Sequence, residues 1–228
     1  MKKGMGFILM FVVWTMLIQV VDVQAIGPNG AEVGFATMNG WFHKLTDVHM
    51  TLYTLTDWLG LIPVFVCIIF GGVGFVQLVK RRRICKVDID IIFLGIYYLI
   101  VIASYLLFEM LPINYRPILI EGRMEASYPS STTLLVLCVM PTLIEQINRR
   151  MKNAKIRKLI VYATTVFSIF MVFARLISGV HWFTDIIGAI ILSVGLFLIY
   201  QAAVIWIYKD KHQQGGFQLW NFMKNFRN

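Results

Sequence analysis

Four groups of residues in this chain are of types that handle phosphate: Arg116-Pro117, the run Tyr128-Pro129-Ser130-Ser131-Thr132-Thr133, Arg175, and His181 with Asp185. Two guanidinium groups offer paired donors matched to phosphate oxygens, and the hydroxyls and backbone N–H groups opening a helix at Ser130, Ser131 and Thr132 add an anion cradle. A neutral histidine can attack phosphorus through a ring nitrogen. Asp185 lies four residues after His181, one helical turn on, where its carboxylate can accept the ring's other N–H, fix the tautomer and stabilise the cation formed on attack. Such a constellation transfers a phosphoryl group with no metal and no cofactor. Cys67, Cys85 and Cys138 stand far apart without metal-ligand spacing.

Each group also has a plainer reading. The arginines could anchor helix ends by reaching to headgroups, and Ser130–Thr132 could be an ordinary N-cap run after a proline. Their gathering favours chemistry, and it depends on the elements that carry them.

Those elements are membrane spans. Of 228 residues 58% are apolar and only 14% charged, too apolar for a soluble core of this size. Between consecutive charges lie uncharged runs that predict spans at about 4–21, 58–79, 91–108, 126–144, 159–174 and 186–208. The expected fold is therefore all-α, a six-helix integral membrane bundle forming a single domain over 1–228. The net charge of +9 would suit nucleic acid on a soluble fold, but 17 of the 21 Lys and Arg residues fall at one end of these spans. By the positive-inside rule that end is cytoplasmic, with both termini, and nucleic acid is not an expected partner. The loops 22–57, 109–125 and 175–185 then face outward, so Arg116, Ser130–Thr132, Arg175, His181 and Asp185 share the extracytoplasmic face. Ionisable groups at that depth are functional candidates.

Lys2-Lys3, an apolar run and Val23-Gln24-Ala25 also match a cleaved secretory signal, though the run's length favours a retained span. Within the outer loop 22–57, Phe35, Met38, Trp41, Phe42 and Leu45 have helical spacing and predict an amphipathic surface helix. In the inner tail 209–228, Phe217, Trp220, Phe222 and Phe226 suggest a counterpart. Neither segment carries recognisable chemistry.

At the outward residues the sequence resembles the type 2 phosphatidic acid phosphatases, whose membrane members include undecaprenyl-diphosphate phosphatases and broad lipid phosphatases. That family carries three motifs: Lys-x6-Arg-Pro, Pro-Ser-Gly-His and Ser-Arg-x5-His-x3-Asp. The third stands here as Ala174-Arg175, then His181 and Asp185 at the family's spacing. The resemblance implies that His181 is the nucleophile of a phosphohistidine intermediate, that Asp185 orients it, and that Arg116, Arg175, Ser130 and Ser131 bind phosphate. It also implies a lipid phosphate or isoprenyl diphosphate substrate, with undecaprenyl diphosphate the leading example.

The departures are as informative. Glu109 stands where the family has lysine, Ser131 and Thr132 stand for its glycine and histidine, and Ala174 for its serine. In the family the missing histidine protonates the leaving group, which an alcohol such as Thr132 does poorly. Three readings stay open: a diphosphate substrate whose leaving group needs little help, another outward acid (His43 or His49), or a site that binds lipid phosphate and turns over slowly or not at all. A lipid phosphotransferase is a further alternative. Glu109 is read as a structural partner of Arg116 or Arg123.

Overall fold

A computed structural model describes the backbone of residues 1–225 and side chains through Tyr208. Eight α-helices follow in chain order: α1 (Lys2–Val20), α2 (Ala36–Thr46), α3 (Met50–Leu59), α4 (Leu61–Arg81), α5 (Ile89–Met110), α6 (Ser131–Arg150), α7 (Ala154–Ile177) and α8 (Phe183–Asn225). Three isolated bridges occur, but no strand among the described residues. Six stretches are long and apolar enough to cross a membrane, α3 and α4 counting as one, so the chain is a multi-pass membrane bundle.

The second span starts earlier than its expected boundary at 58, because α3 leads into α4 across Gly60. The fourth starts later than 126, because residues 126–130 are not helical: Ala126 bridges Tyr115 and the chain bends at Tyr128 and Pro129 before the Ser130 cap. Within 22–57 a helix spans most of the expected residues as α2, with Phe35 at its N-cap. α8 continues to Asn225, and the expected aromatic face of Phe217, Trp220, Phe222 and Phe226 lies outside the described side chains.

α6 and α8 form the centre, burying Leu134, Val136, Cys138 and Val139 against Ala189, Ile191, Leu192 and Tyr200. α1 runs along α8, where Gly4 and Gly195 permit close approach: a Cβ on Gly4 would sit 3.0 Å from the Gly195 carbonyl oxygen. With lipid as apolar as the side chains, such intimate backbone contact supplies much of the helix–helix attraction. α5 adds polar ties to α6, Tyr98 Oη to Thr142 Oγ1 at 2.7 Å and Tyr97 Oη donating to the Cys138 carbonyl at 3.2 Å. The outer faces keep Leu9, Phe65, Leu99 and Phe170 exposed, as a lipid solvent requires.

The two ends of the bundle differ. At the end holding the start of α1 and the α4–α5 and α6–α7 connections, Arg150 reaches Asp88 at 3.2 Å and Asp90 at 2.6 Å, tying α6 to α5. At the other end, α2, α3, the 111–130 segment and the turn before α8 converge. Asn39 secures α2 there: its side chain donates to the Thr184 hydroxyl at 3.0 Å and accepts from the Thr184 N–H at 3.2 Å, satisfying a free donor at the start of α8.

Gly188 makes room for Tyr128, whose ring stacks on Phe11 and whose hydroxyl meets Thr15 Oγ1 at 2.7 Å. A Cβ at 188 would overlap that ring. Gly188→Ala is therefore expected to destabilise the bundle by about 1–3 kcal/mol through overpacking, read as a lower thermal midpoint in detergent, with Tyr128→Ala in the same chain restoring part of the loss.

Candidate active site

The segment between α5 and α6 is a short hairpin. The Arg116 N–H donates to the Glu125 carbonyl (3.1 Å) and the Ser127 N–H to the Asn114 carbonyl (2.9 Å), while Glu121 and Gly122 take positive φ at its tip. This pairing brings Asn114, Arg116 and Ser127 side by side. Trp182, buried between α7 and α8, fastens the hairpin from the other side, its indole N–H donating to the Tyr115 carbonyl at 2.8 Å. Gly179 makes the turn after α7 with φ +71°, and a Cβ there would fall on the Asp47 carbonyl. That turn sets His181 against the hairpin.

His181 is 3% exposed, and its Nδ1 lies 3.1 Å from the Ser127 carbonyl oxygen and 3.1 Å from the Ser127 hydroxyl. A carbonyl only accepts, so Nδ1 carries the proton and Nε2 presents its lone pair, buried and without a hydrogen-bond partner. Burial first, then the positive charges of Arg116 and Arg175, hold the ring's pKa well below the ordinary histidine value, against the opposing hydrogen bond to Ser127. The ring is a neutral nitrogen base at pH 7.

Asp185 does not reach the ring directly, Oδ2 being 3.8 Å from Nδ1. The expected Asp185–His181 hydrogen bond is replaced by a link through Ser127, whose hydroxyl donates to Asp185 Oδ2. The Trp182 N–H (2.9 Å) and Asn114 Nδ2 (3.2 Å) also donate to the carboxylate. Three donors on a wholly buried carboxylate stabilise its negative charge close to the imidazole.

The two arginines come from different elements and meet over one side chain. Arg175, in the last turn of α7 and 1% exposed, donates from Nη1 to Thr56 Oγ1 at 3.0 Å and the Tyr53 carbonyl at 3.4 Å, with Asp57 at 3.9 Å from Nη2. Arg116 pairs with Glu125 at 3.0 Å, which the hairpin places directly across from it, and Glu109, expected to pair with Arg116 or Arg123, makes no ion pair among the described residues. Both guanidinium carbons lie over the Tyr53 ring, at 5.5 Å for Arg116 and 4.9 Å for Arg175. Arg116 Nη1 and Arg175 Nε are buried without hydrogen-bond partners among the described residues.

Ser130 caps α6, but its groups are committed within the protein: its N–H donates to the Asp185 carbonyl at 3.2 Å and its hydroxyl to Thr133 Oγ1 at 3.1 Å. No side chain caps α6, so the N–H groups of Ser131, Thr132 and Thr133 lack intrahelical partners. Ser131 lines a small cavity shared with Glu109, Ser127 and Tyr128. Thr132 turns its methyl toward the α3–α4 junction, where a Cβ on Gly60 would be 3.4 Å from its Cγ2. His43, on α2, sets its ring edge against Trp182 at 5.6 Å, and burial lowers its pKa. His49 is an exposed residue heading α3, its N–H on the Ser178 carbonyl at 3.0 Å.

Sequence reasoning missed Ser127, Asn114, Tyr53 and Thr56. Ser127 and Asn114 are neighbours only through hairpin pairing. Tyr53, Thr56 and Asp57 did leave a signal, polar groups at i, i+3 and i+4 on one face of an apolar helix.

A six-span bundle that sets an unpartnered histidine nitrogen, two buried arginines and an open helix N-terminus at one end defines a multi-pass membrane protein with a buried histidine–arginine cluster. Residues 103–210 match the model of the PAP2 superfamily, which takes in that centre apart from the α3 residues. The fold is similar to that of a transmembrane PAP2-type phosphatidylglycerolphosphate phosphatase from Bacillus subtilis, at a TM-score of 0.61 and 19% identity over 91% of this chain and 98% of that one. The chain is thus similar to the PAP2 superfamily over residues 103–210 and shares the fold of one transmembrane PAP2-type protein. No curated protein matches it.

Proposed function

We propose that this protein is a metal-independent lipid phosphatase working through a phosphohistidine at His181, with a prenyl diphosphate its preferred class of substrate. The match of residues 103–210 to the PAP2 superfamily supports a lipid phosphatase in general. The observation that carries the reading is the buried Nε2 lone pair of His181, which has no partner in a site otherwise dense with hydrogen bonds. Phosphate oxygens would engage Arg116, Arg175 and the N–H groups of Ser131 and Thr132, leaving phosphorus open to Nε2. Attack forms the N–P bond and breaks the bond to the leaving oxygen, and the imidazolium so formed sits beside the Asp185 carboxylate. Water then attacks phosphorus and releases phosphate and neutral His181.

The leaving group decides the substrate. A phosphate monoester expels an alkoxide and needs an acid, whereas a diphosphate expels a phosphate that departs without one. Thr132, with its methyl against Gly60, supplies no such acid. Purified protein is expected to release phosphate from a prenyl diphosphate about 10²-fold faster than from phosphatidic acid or phosphatidylglycerolphosphate. Equal rates would sink the leaving-group argument. The same Thr132 geometry favours a second reading, a catalytically weak lipid-phosphate-binding protein, which predicts binding with no turnover of either substrate. A phosphotransferase would move the phosphate to a second lipid, which product analysis detects.

The charge asymmetry supports an outward-facing site, since 17 of 21 basic residues fall at the opposite end of the spans in sequence. Membrane lipids would bring the substrate to the site laterally.

A further inference from the structure

The phosphate-site reading uses residues from α6, α7, α8 and the hairpin, and leaves α3 without a role. Yet three residues in one turn of α3 contact the arginines. The Tyr53 ring faces both guanidinium groups, its carbonyl and the Thr56 hydroxyl take Arg175 Nη1, and Asp57 stands by Nη2. The opposite side of the helix, with Leu55 and Trp58, is exposed.

We propose that Tyr53 is a positioning residue of the phosphate site, its ring holding Arg116 and Arg175 together and aimed at the anion while the site is empty. This rests on the phosphate-binding reading above. Two buried guanidinium groups repel each other; Arg116 is tied to Glu125 at 3.0 Å, and without an anion Arg175 would swing away from it toward Asp57, 3.9 Å off. The negative face of an aromatic ring attracts both cations at once and takes up none of their remaining donors. Arg116 Nη1 and Arg175 Nε accordingly stay unpartnered, available to phosphate oxygens. Thr56 and the Tyr53 carbonyl fix the rotation of the Arg175 plane, and Arg116, held only by Glu125 and the ring, depends on Tyr53 more.

The test uses the full chain in detergent micelles with a prenyl diphosphate substrate and inorganic phosphate as competing ligand. Tyr53→Phe keeps the ring and is expected to stay within threefold of wild type. Tyr53→Leu removes it and is expected to raise both KM and the phosphate inhibition constant by about tenfold, with the thermal midpoint little changed. Tyr53→Phe as damaging as Tyr53→Leu, or Tyr53→Leu that lowers the midpoint with KM and phosphate inhibition unchanged, overturns the assignment. Arg116→Lys run in parallel separates the two levels of the argument. If it weakens phosphate inhibition while Tyr53→Leu does not, Tyr53 alone is wrongly assigned; if neither variant alters it, the phosphate site itself falls, and the assignment with it.

Discussion

His181→Ala is expected to lower lipid-phosphate turnover by at least about 10³-fold, equivalent to about 4 kcal/mol of transition-state stabilisation, while inorganic phosphate still binds. No other described side chain combines the needed features: a lone pair at Nε2, a proton fixed on Nδ1 by the Ser127 carbonyl, and two guanidinium groups near enough to depress its pKa. The same depression sets the pH profile. Attack needs the neutral ring, so activity is lost as pH falls through the folded-state pKa of His181, and because burial and the arginines lower that value, the acid limb lies well below 6.5. Stability moves in the same direction. The unfolded histidine binds a proton near 6.5 that the folded one refuses, so acidification below that point favours unfolding. Phosphate release by wild type and variant across pH 4–8 checks both parts. Wild-type activity in His181→Ala would remove the histidine from the mechanism.

How far the sequence carried this picture varies element by element. The spans were legible because lipid excludes charge, so gaps between charged residues mark helices, and the uneven placement of Lys and Arg sets their alternation. The third motif was legible because it is local: a span end, a turn and a span start keep Arg175, His181 and Asp185 at fixed separation. Ser127 and Asn114 were not, because a hairpin of only isolated bridges brings them to Asp185, and neither alternation nor helical period encodes it. The partner of Arg116 was misjudged for the same reason. Glu109 is seven residues away along the chain, yet the hairpin sets Glu125 opposite. The start of the fourth span was misjudged because absence of charge does not distinguish a helix from an uncharged loop, and residues 126–130 are the latter.

The structure alters most what Asp185 is expected to do, and with it the second large effect. A carboxylate bonded to the ring would act by fixing the tautomer, but here the Ser127 carbonyl fixes it and Asp185 stands 3.8 Å off. Its remaining contributions are the anchoring of Ser127, Trp182 and Asn114, which together hold the hairpin to the α7–α8 turn, and, in the proposed mechanism, charge beside the imidazolium. Asp185→Asn removes the charge and turns an amide donor toward groups that themselves donate, so at least one contact becomes repulsive. A loss of about 10²–10⁴ in kcat is expected, on the scale seen when a histidine's buried carboxylate partner is neutralised. Ser127→Ala keeps the carbonyl and the charge and deletes only the hydroxyl link, so it is expected to cost about tenfold. The ordering separates the two roles: Asp185→Asn far worse than Ser127→Ala means that charge dominates, whereas equal losses would mean that the carboxylate works wholly through the hydroxyl. Near-wild-type kcat in Asp185→Asn would show that the imidazolium needs no counter-charge, and would leave Asp185 as a structural tie between the hairpin and α8.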